Sequence, residues 1–180
     1  MMRFAAAAAL AGLLFTTAFA KDDTTLKVKA GDKFPVIELK AAQIDKIKAD
    51  AKTVSIADLK GKVAVVFFYP KADTPGCTVE SCGFRDKAKE FPENVVLVGA
   101  STDDVIAQQA FIEKFKLPMA LLADTDSKLV KELGILNAKN SRAQRITFVV
   151  KADGTIAKIY DKVTPKEHPA EVLEFVKSLK

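Results

Sequence analysis

The chain has 180 residues, a length that suits a single domain with a substantial hydrophobic core. Hydrophobic residues make up 49% of it and charged residues 28%, which is ordinary for a soluble globular protein. The formal net charge is +5, but the lysines are scattered among acidic residues, which argues against a nucleic-acid-binding patch. One histidine and two cysteines argue against a metal site.

The first twenty residues have the pattern of an export signal. Residues 1–3 supply a positive end, residues 4–15 are small or apolar, and residues 18–20 (Ala-Phe-Ala) fit the small-x-small cleavage rule. An uncleaved membrane anchor is the alternative, but this apolar stretch is shorter than the roughly 20 residues that a spanning helix needs. We expect cleavage before Lys21, export to a bacterial periplasm, and one mature domain over residues 21–180.

The beginning of the mature chain predicts short extended elements. Residues 21–29 are polar and predict a loose leader. Residues 34–39 predict an edge strand, because their proline is tolerated only at an edge or a strand start. Residues 41–52 are compatible with a short helix or an elaborated turn. Residues 53–56 alternate like a strand, and a turn follows at residues 58–62.

The middle of the chain predicts a β-α-β unit. Residues 63–69 are apolar throughout, which is typical of a strand covered by helices on both faces, and residues 95–100 repeat this signal. A helix is predicted between them, over residues 75–91. A strand, a helix and a strand at this spacing form a right-handed crossover.

The remaining segments predict helices around this unit and a hairpin. The sequence predicts a helix capped by residues 101–103, a short strand at 121–122, and a helix over 127–133 that stops at Gly134. A hairpin of residues 146–150 with 155–160 follows. A capping box at 164–167 then begins a final helix, which is predicted to bury Val172, Leu173, Val176 and Leu179. The order of elements indicates an α/β fold of the thioredoxin type. A central mixed β-sheet is flanked by helices and preceded by an N-terminal β extension.

Cys77 and Cys82 are the only cysteines of the chain. In an exported protein, the default interpretation of an even cysteine count is a structural disulfide. If residues 75–91 form a helix, however, the two Cα atoms lie roughly 8.7 Å apart on different faces. A disulfide needs them within about 7 Å. We therefore expect the two cysteines to bond only when the helix unwinds.

The predicted start of the helix makes Cys77 a candidate nucleophile. The first turn of a helix presents unpaired N–H groups and the positive end of the dipole, and both stabilise a thiolate. Thr74 lies on the same loop and can direct its hydroxyl at the same pocket, while Pro70 can shield the sulfur from water. A thiol in such a site is oxidised to sulfenic acid, which a nearby thiol then converts to a disulfide.

The loop that runs from Pro70 through Thr74 to Cys77, and on to Cys82, resembles the signature loop of the peroxiredoxins. It is most similar to the atypical two-cysteine branch called bacterioferritin comigratory protein, or PrxQ. Residues outside the loop also resemble this branch, namely residues 30–32, 59–62, 101–103 and 145–148. The resemblance implies a thiol-dependent peroxidase that reduces hydrogen peroxide and organic hydroperoxides without a haem, flavin or metal cofactor.

The resemblance also implies a role for each residue of the site. Cys77 would be the peroxidatic nucleophile and Cys82 the resolving cysteine of the same chain. Thr74 would hold the peroxide oxygens, and Pro70 would shield the sulfur. Arg145, which opens the motif Arg-Ile-Thr-Phe, would stabilise the thiolate and the charge on the displaced oxygen.

Three other polar residues near these motifs have alternative interpretations. Arg142 is the nearest rival of Arg145 for the catalytic role. Glu80 lies one turn after Cys77 and either pairs with an arginine or faces water. His168, the only histidine, is expected to cap the last helix rather than to take part in catalysis.

The implied partners are a hydroperoxide and a thioredoxin-like or other dithiol reductant. Nucleic acid is not expected, and neither is a stable membrane association after signal cleavage. Because the resolving cysteine lies in the same chain, a monomer is expected. Two other functions stay open, namely a thiol–disulfide exchanger that acts on protein disulfides and a non-catalytic binding domain stapled by a Cys77–Cys82 bond.

Overall fold

The computed structural model describes residues 25–179, and the predicted signal sequence lies outside them. The strands are β1 (Lys40–Ala42), β2 (Val63–Phe68), β3 (Val95–Ser101), β4 (Ala120–Ala123), β5 (Leu136–Asn137), β6 (Arg142–Ala143), β7 (Ile146–Val150) and β8 (Ile156–Tyr160). The helices are α1 (Pro75–Lys87), α2 (Val105–Phe115), α3 (Lys128–Leu133) and α4 (His168–Ser178), with short 3₁₀ turns at Ile44–Lys46, Ile56–Leu59 and Ala88–Glu90. None of the described helices is both long and apolar enough to cross a membrane.

Six of the strands form one mixed sheet in the order β1-β4-β3-β2-β7-β8, and β5 pairs with β6. Strands β2, β3 and β4 are parallel, while β1, β7 and β8 are antiparallel to their neighbours. This is the predicted central mixed sheet. The predicted crossover from β2 through α1 to β3 and the predicted hairpin of β7 with β8 are confirmed.

Strand β2 explains why residues 63–69 are apolar without alternation. Successive side chains of a strand point to opposite faces. Ala64, Val66 and Phe68 belong to one core layer, which α3 and the N-terminal segment cover. Val65 and Phe67 belong to the other, which α1, α2 and α4 cover. Both faces of β2 are therefore buried, as expected for a central strand.

The segment before β2 differs from its prediction. Residues 34–39 do not form a strand, because pairing there is limited to isolated bridges, from Lys33 to Thr155 and from Leu39 to Val54. The edge strand begins at Lys40 instead and pairs with β4. Residues 41–52 complete β1 and then form a 3₁₀ turn, so the turn alternative is closer than the helix. Pro35 cannot donate to a ladder, which explains why no strand forms around it.

Three further expectations at the ends of the domain are wrong. Residues 25–29 are not loose, because the Lys27 amide donates to the Leu133 carbonyl at 3.1 Å and Leu26 packs against the core. The capping box at residues 164–167 does not form. The N-cap of α4 is Glu167, whose side chain makes no cap hydrogen bond, and the Thr164 carbonyl instead accepts from two backbone amides. Leu179 follows α4 rather than lying in it.

Candidate active site

The predicted cysteine pair lies in α1, beyond the carboxyl end of β2. Pro75 occupies the first turn of the helix, where its fixed backbone angle is favourable, and Cys77 is the third helical residue. Both cysteines are free thiols in an unbroken helix, Cys77 buried and Cys82 half-buried. The structure therefore keeps the two cysteines apart in α1, and no disulfide joins them.

Arg145 reaches the sulfur of Cys77 from the residue that precedes β7. Its Nη2 donates to Cys77 Sγ at 3.2 Å, while its Nη1 donates to the carboxylate of Glu80. A guanidinium at this distance interacts favourably with negative charge on the sulfur, as do the unpaired N–H groups of the helix N-terminus. Gly76 makes room for it, since a Cβ there would lie 3.3 Å from Arg145 Nη2.

Glu80 is fully buried and pairs with Arg145, so of its two alternatives the pairing with an arginine is confirmed and the exposure to water is wrong. Burial raises the pKa of its carboxyl to about 7, although the positive charge of Arg145 opposes this rise. Its position three residues after Cys77 puts the two side chains on the same face of α1, within reach of one guanidinium. Arg145 therefore bridges two residues of one face of α1.

The hydroxyl of Thr74 is oriented by its own loop. Thr74 is the N-cap residue of α1, and its Oγ1 donates to the Lys71 carbonyl at 2.9 Å. Because the hydroxyl hydrogen is used in this bond, a lone pair of Oγ1 stays available to accept a hydrogen bond. The Thr74 carbonyl accepts from the Thr78 amide at 2.8 Å, which ties the loop to the helix.

Pro70 is held by Arg142, the residue that the sequence presents as the rival of Arg145. Arg142 Nη1 donates to the Pro70 carbonyl at 3.3 Å and lies 3.7 Å from a carboxylate oxygen of Asp103. The structure thus brings Arg145 to the sulfur and Arg142 to the loop. Sequence reasoning missed the contact between Arg142 and Asp103, and a separation of 39 positions leaves no local signal for it.

His168 lies behind α1 and does not cap α4 with its side chain. The ring is buried, and its Nε2 lies 2.8 Å from Thr147 Oγ1. Burial, with a further effect of the Arg145 charge, lowers the pKa of His168 to about 4. The imidazole is therefore neutral at neutral pH. The ring makes a T-shaped contact with Phe84 of α1, with ring centroids 5.7 Å apart.

The second half of α1 is held mainly by apolar packing, with one polar anchor where Arg85 Nη1 donates to the Phe115 carbonyl at 2.7 Å. Phe84 is fully buried and stacks on Phe67 of β2 with ring centroids 4.6 Å apart. Gly83 lies against α4 so closely that a Cβ there would be 2.7 Å from Pro169 Cγ. Cys82 is half-buried just before these contacts.

A buried cysteine in the first turn of a helix, an arginine on its sulfur and a second thiol in the same helix match the arrangement expected of a thiol-dependent peroxidase. Comparison with known proteins shows the family. A family model described as the AhpC/TSA family matches residues 30–159. The chain belongs to this family.

Relatives within the family are peroxiredoxins of the Bcp and Q groups. Peroxiredoxin Bcp of Bacillus subtilis (strain 168) is 35% identical over 161 residues, which cover 86% of this chain and 98% of the relative. The chloroplastic peroxiredoxin Q of Suaeda salsa is 35% identical over 162 residues, covering 88% and 72%. The crystal structure of peroxidoxin BcpB from Mycobacterium tuberculosis shares the fold with a TM-score of 0.73 and 31% identity, covering 84% of this chain and 98% of that one.

Proposed function

We propose that the protein reduces hydrogen peroxide and organic hydroperoxides by nucleophilic attack of the Cys77 thiolate. The observation that carries the proposal is the contact of 3.2 Å between Arg145 Nη2 and Cys77 Sγ in the first turn of α1. The sulfur attacks the nearer peroxide oxygen and the O–O bond breaks. Cys77 becomes a sulfenic acid, and the leaving oxygen takes a proton and departs as water or an alcohol.

Thr74 and Arg145 orient the peroxide in this step. The free lone pair of Thr74 Oγ1 accepts a hydrogen bond from the peroxide O–H, while the Arg145 guanidinium donates to the oxygen that accumulates negative charge. Pro70 covers the site and limits the access of water. Holding the peroxide against the Cys77 sulfur in one geometry raises the rate, in addition to the stabilisation of the developing charge by Arg145.

Cys82 completes the oxidative half of the cycle. Its thiol attacks the sulfenic sulfur, water leaves, and a disulfide joins Cys77 to Cys82. Because the intact α1 keeps the two residues too far apart, this step requires that part of the helix open. A thioredoxin-like dithiol then reduces the disulfide by exchange and becomes oxidised itself. The cycle uses one chain, which supports a monomer, and sedimentation of the reduced and oxidised protein would test this.

We also propose that this chemistry takes place after export. The support is the sequence pattern of residues 1–20, and a mature N-terminus at Lys21 in a periplasmic fraction is the expected observation. Cytoplasmic protein that keeps residues 1–20 would contradict this proposal.

The test of the peroxidase mechanism follows the thiols of reduced protein by mass spectrometry. One equivalent of hydrogen peroxide should remove both thiols of the native chain within seconds, with a loss of two hydrogens. Cys82→Ser should stop at a sulfenic acid that a dimedone probe traps, and Cys77→Ser should not react rapidly. A reaction no faster than that of free cysteine contradicts the proposal, and rapid exchange with protein disulfides alone would favour a thiol–disulfide exchanger.

A further inference from the structure

The segment that carries Pro70 and Thr74, here called loop 70–74, is held by residues outside α1. Its backbone makes two contacts with neighbouring side chains. The Ala72 amide donates to Asp103 Oδ2 at 2.7 Å, and the Pro70 carbonyl accepts from Arg142 Nη1 at 3.3 Å. These two anchors lie on either side of Lys71, whose carbonyl accepts the Thr74 hydroxyl.

Asp103 links the two anchors. Its Oδ2 binds the Ala72 amide, and its Oδ1 lies 3.7 Å from Arg142 Nη1, the same nitrogen that donates to Pro70. The Asp103 side chain is only 11% exposed, so water screens this ion pair less than a surface pair. One carboxylate therefore contacts Ala72 directly and Pro70 through Arg142.

Asp103 is itself fixed by a buried polar cluster. Ser101 Oγ at the end of β3 donates to Asp103 Oδ2 at 2.9 Å and accepts from the Asp103 amide at 3.1 Å. The fully buried Gln108 of α2 donates to Ser101 Oγ at 3.0 Å and to the Leu122 carbonyl of β4 at 2.8 Å. The support of Asp103 thus comes from β3, α2 and β4, and none of its hydrogen bonds involves a residue of α1.

We propose that Asp103 is a positioning residue of the peroxidase reaction. It fixes loop 70–74 and thereby sets the place of the Thr74 hydroxyl and of Pro70 relative to Cys77, with Arg142 as its intermediary. The inference rests on the proposed function, since it assigns Asp103 to the step in which peroxide meets Cys77. It also assigns a role to Arg142, whose guanidinium contacts the loop rather than the sulfur.

The position of this support predicts which step depends on it. The attack on peroxide needs Thr74 in place, so it depends on Asp103. The attack of Cys82 on the sulfenic acid depends on the opening of α1, whose contacts in its second half do not include Asp103. A change at residue 103 should therefore affect the first step and leave the second unchanged, whereas a general loss of fold stability would alter both.

Asp103→Asn is the substitution that tests this separation. The amide keeps an oxygen that can accept from the Ala72 amide, but it removes the charge that attracts Arg142. With hydrogen peroxide as the substrate and dithiothreitol as the reductant, we expect kcat/KM for peroxide to fall about tenfold while kcat stays within twofold. A misplacement of 1 Å can cost about 10²-fold, and the loop keeps its contact at Ala72, so a smaller loss is expected. The rate of disulfide formation from pre-formed sulfenic acid should stay within twofold.

Asp104→Asn is the matched control. Asp104 caps α2 by accepting from the Ala107 amide at 2.8 Å, asparagine caps helices about as well, and the residue has no part in loop 70–74. It should react like the native chain. Arg142→Gln should reproduce the defect of Asp103→Asn, and the double variant should be no worse than either single one, since both act through Pro70.

The outcomes separate the two proposals. A native chain that reacts no faster than free cysteine would defeat the proposed function itself. With a reactive native chain, an Asp103→Asn variant that matches Asp104→Asn overturns the positioning role, as does one in which both steps slow by the same factor. If Asp103→Asn does not fold, the same criteria apply to Arg142→Gln.

Discussion

The two halves of α1 are held in place by different forces. In the first half, Cys77 and Glu80 meet one guanidinium, that of Arg145. In the second half, Cys82 is followed by Gly83 against Pro169 and by Phe84 against aromatic rings. The half that performs the attack is fixed by a buried ion pair. The half that must move is fixed mainly by apolar contact, with one polar anchor from the partly exposed Arg85 to the Phe115 carbonyl.

This difference predicts which half of the helix opens at the lower cost in free energy. Separating Glu80 from Arg145 inside the protein would leave a buried charge without a partner, which costs several kcal/mol. Opening the second half costs the burial of the Phe84 ring and the hydrogen bond from Arg85 to the Phe115 carbonyl, but it breaks no buried ion pair. We therefore expect α1 to open from its second half, so that Cys82 travels to a Cys77 that stays in place.

The largest effect should follow from removing the charge in the first half. In Arg145→Ala we expect the rate of the reaction with hydrogen peroxide to fall about 10²- to 10³-fold. A loss of this size is typical when one preorganised hydrogen-bond donor is removed from an active site. Stopped-flow mixing of reduced protein with peroxide measures this rate. Arg85→Ala is the control, because Arg85 pairs with Asp86 and the Phe115 carbonyl and should leave the rate unchanged.

Arg145→Ala also leaves the buried Glu80 without a cation, which could destabilise the fold. The double variant Arg145→Ala with Glu80→Gln removes this carboxylate and so separates the loss of stability from the loss of the guanidinium at the sulfur. If the double variant attacks peroxide at the native rate, the guanidinium does not contribute to catalysis. If only the stability recovers, the arginine acts on the sulfur as proposed.

A smaller effect should come from the protonation of His168, which contacts Phe84 in the second half of α1 and makes the stability of the protein depend on pH. The ring is buried and its pKa is lowered to about 4, whereas the unfolded chain binds this proton near its ordinary pKa of 6.5. The contribution of His168 to the free energy of unfolding is therefore fully present above pH 6.5 and is lost as the pH falls toward 4. Between pH 7 and pH 5 this amounts to about 2 kcal/mol in the free energy of unfolding.

His168→Gln should remove that part of the pH dependence, since glutamine can keep a hydrogen bond to Thr147 but does not titrate. Urea unfolding of both chains at pH 5 and pH 7 measures the difference. The buried Glu80 acts in the opposite direction, because its raised pKa makes stability fall as the pH rises from about 4.5 to about 7. Only the comparison of the two chains isolates His168, and parallel pH profiles would exclude its contribution.

The smallest effect should come from trimming the packing of the second half. Phe84→Leu should lower the free energy of unfolding by about 1–2 kcal/mol and speed disulfide formation severalfold, because α1 opens more readily. The reaction with peroxide should not change. Rapid quenching followed by thiol alkylation gives the two rates separately.

Phe148→Leu is the matched control for Phe84→Leu. Phe148 is equally buried but belongs to the core layer on the other face of the sheet, against Phe34 and Phe68. It should cost similar stability without changing the rate of disulfide formation. Equal acceleration in both variants would show that general destabilisation, and not the release of α1, sets this rate.

Local patterns predicted the parts of the fold that depend on local physics. The apolar runs of β2 and β3, the helix that begins at Pro75 and the Asp-Gly hairpin all follow from short-range preferences. The N-terminal segment was mispredicted because its pairings are distant in sequence, as for Lys33 with Thr155. Pattern alone could not foresee that Glu80 would be buried, since the acid looks solvated until Arg145 arrives from 65 positions away.

The contact between Gly83 and Pro169 bears on how long each catalytic cycle takes. α4 lies outside the segment that opens, so its first turn offers α1 an unchanged surface on which to reform after the disulfide is reduced. A helix of this size reforms in about a microsecond or less. Glycine lowers the stability of a helix interior by about 1 kcal/mol relative to alanine, so the segment also leaves readily. Turnover is then timed by bond making and by encounters with the reductant, and the return of the helix adds no delay.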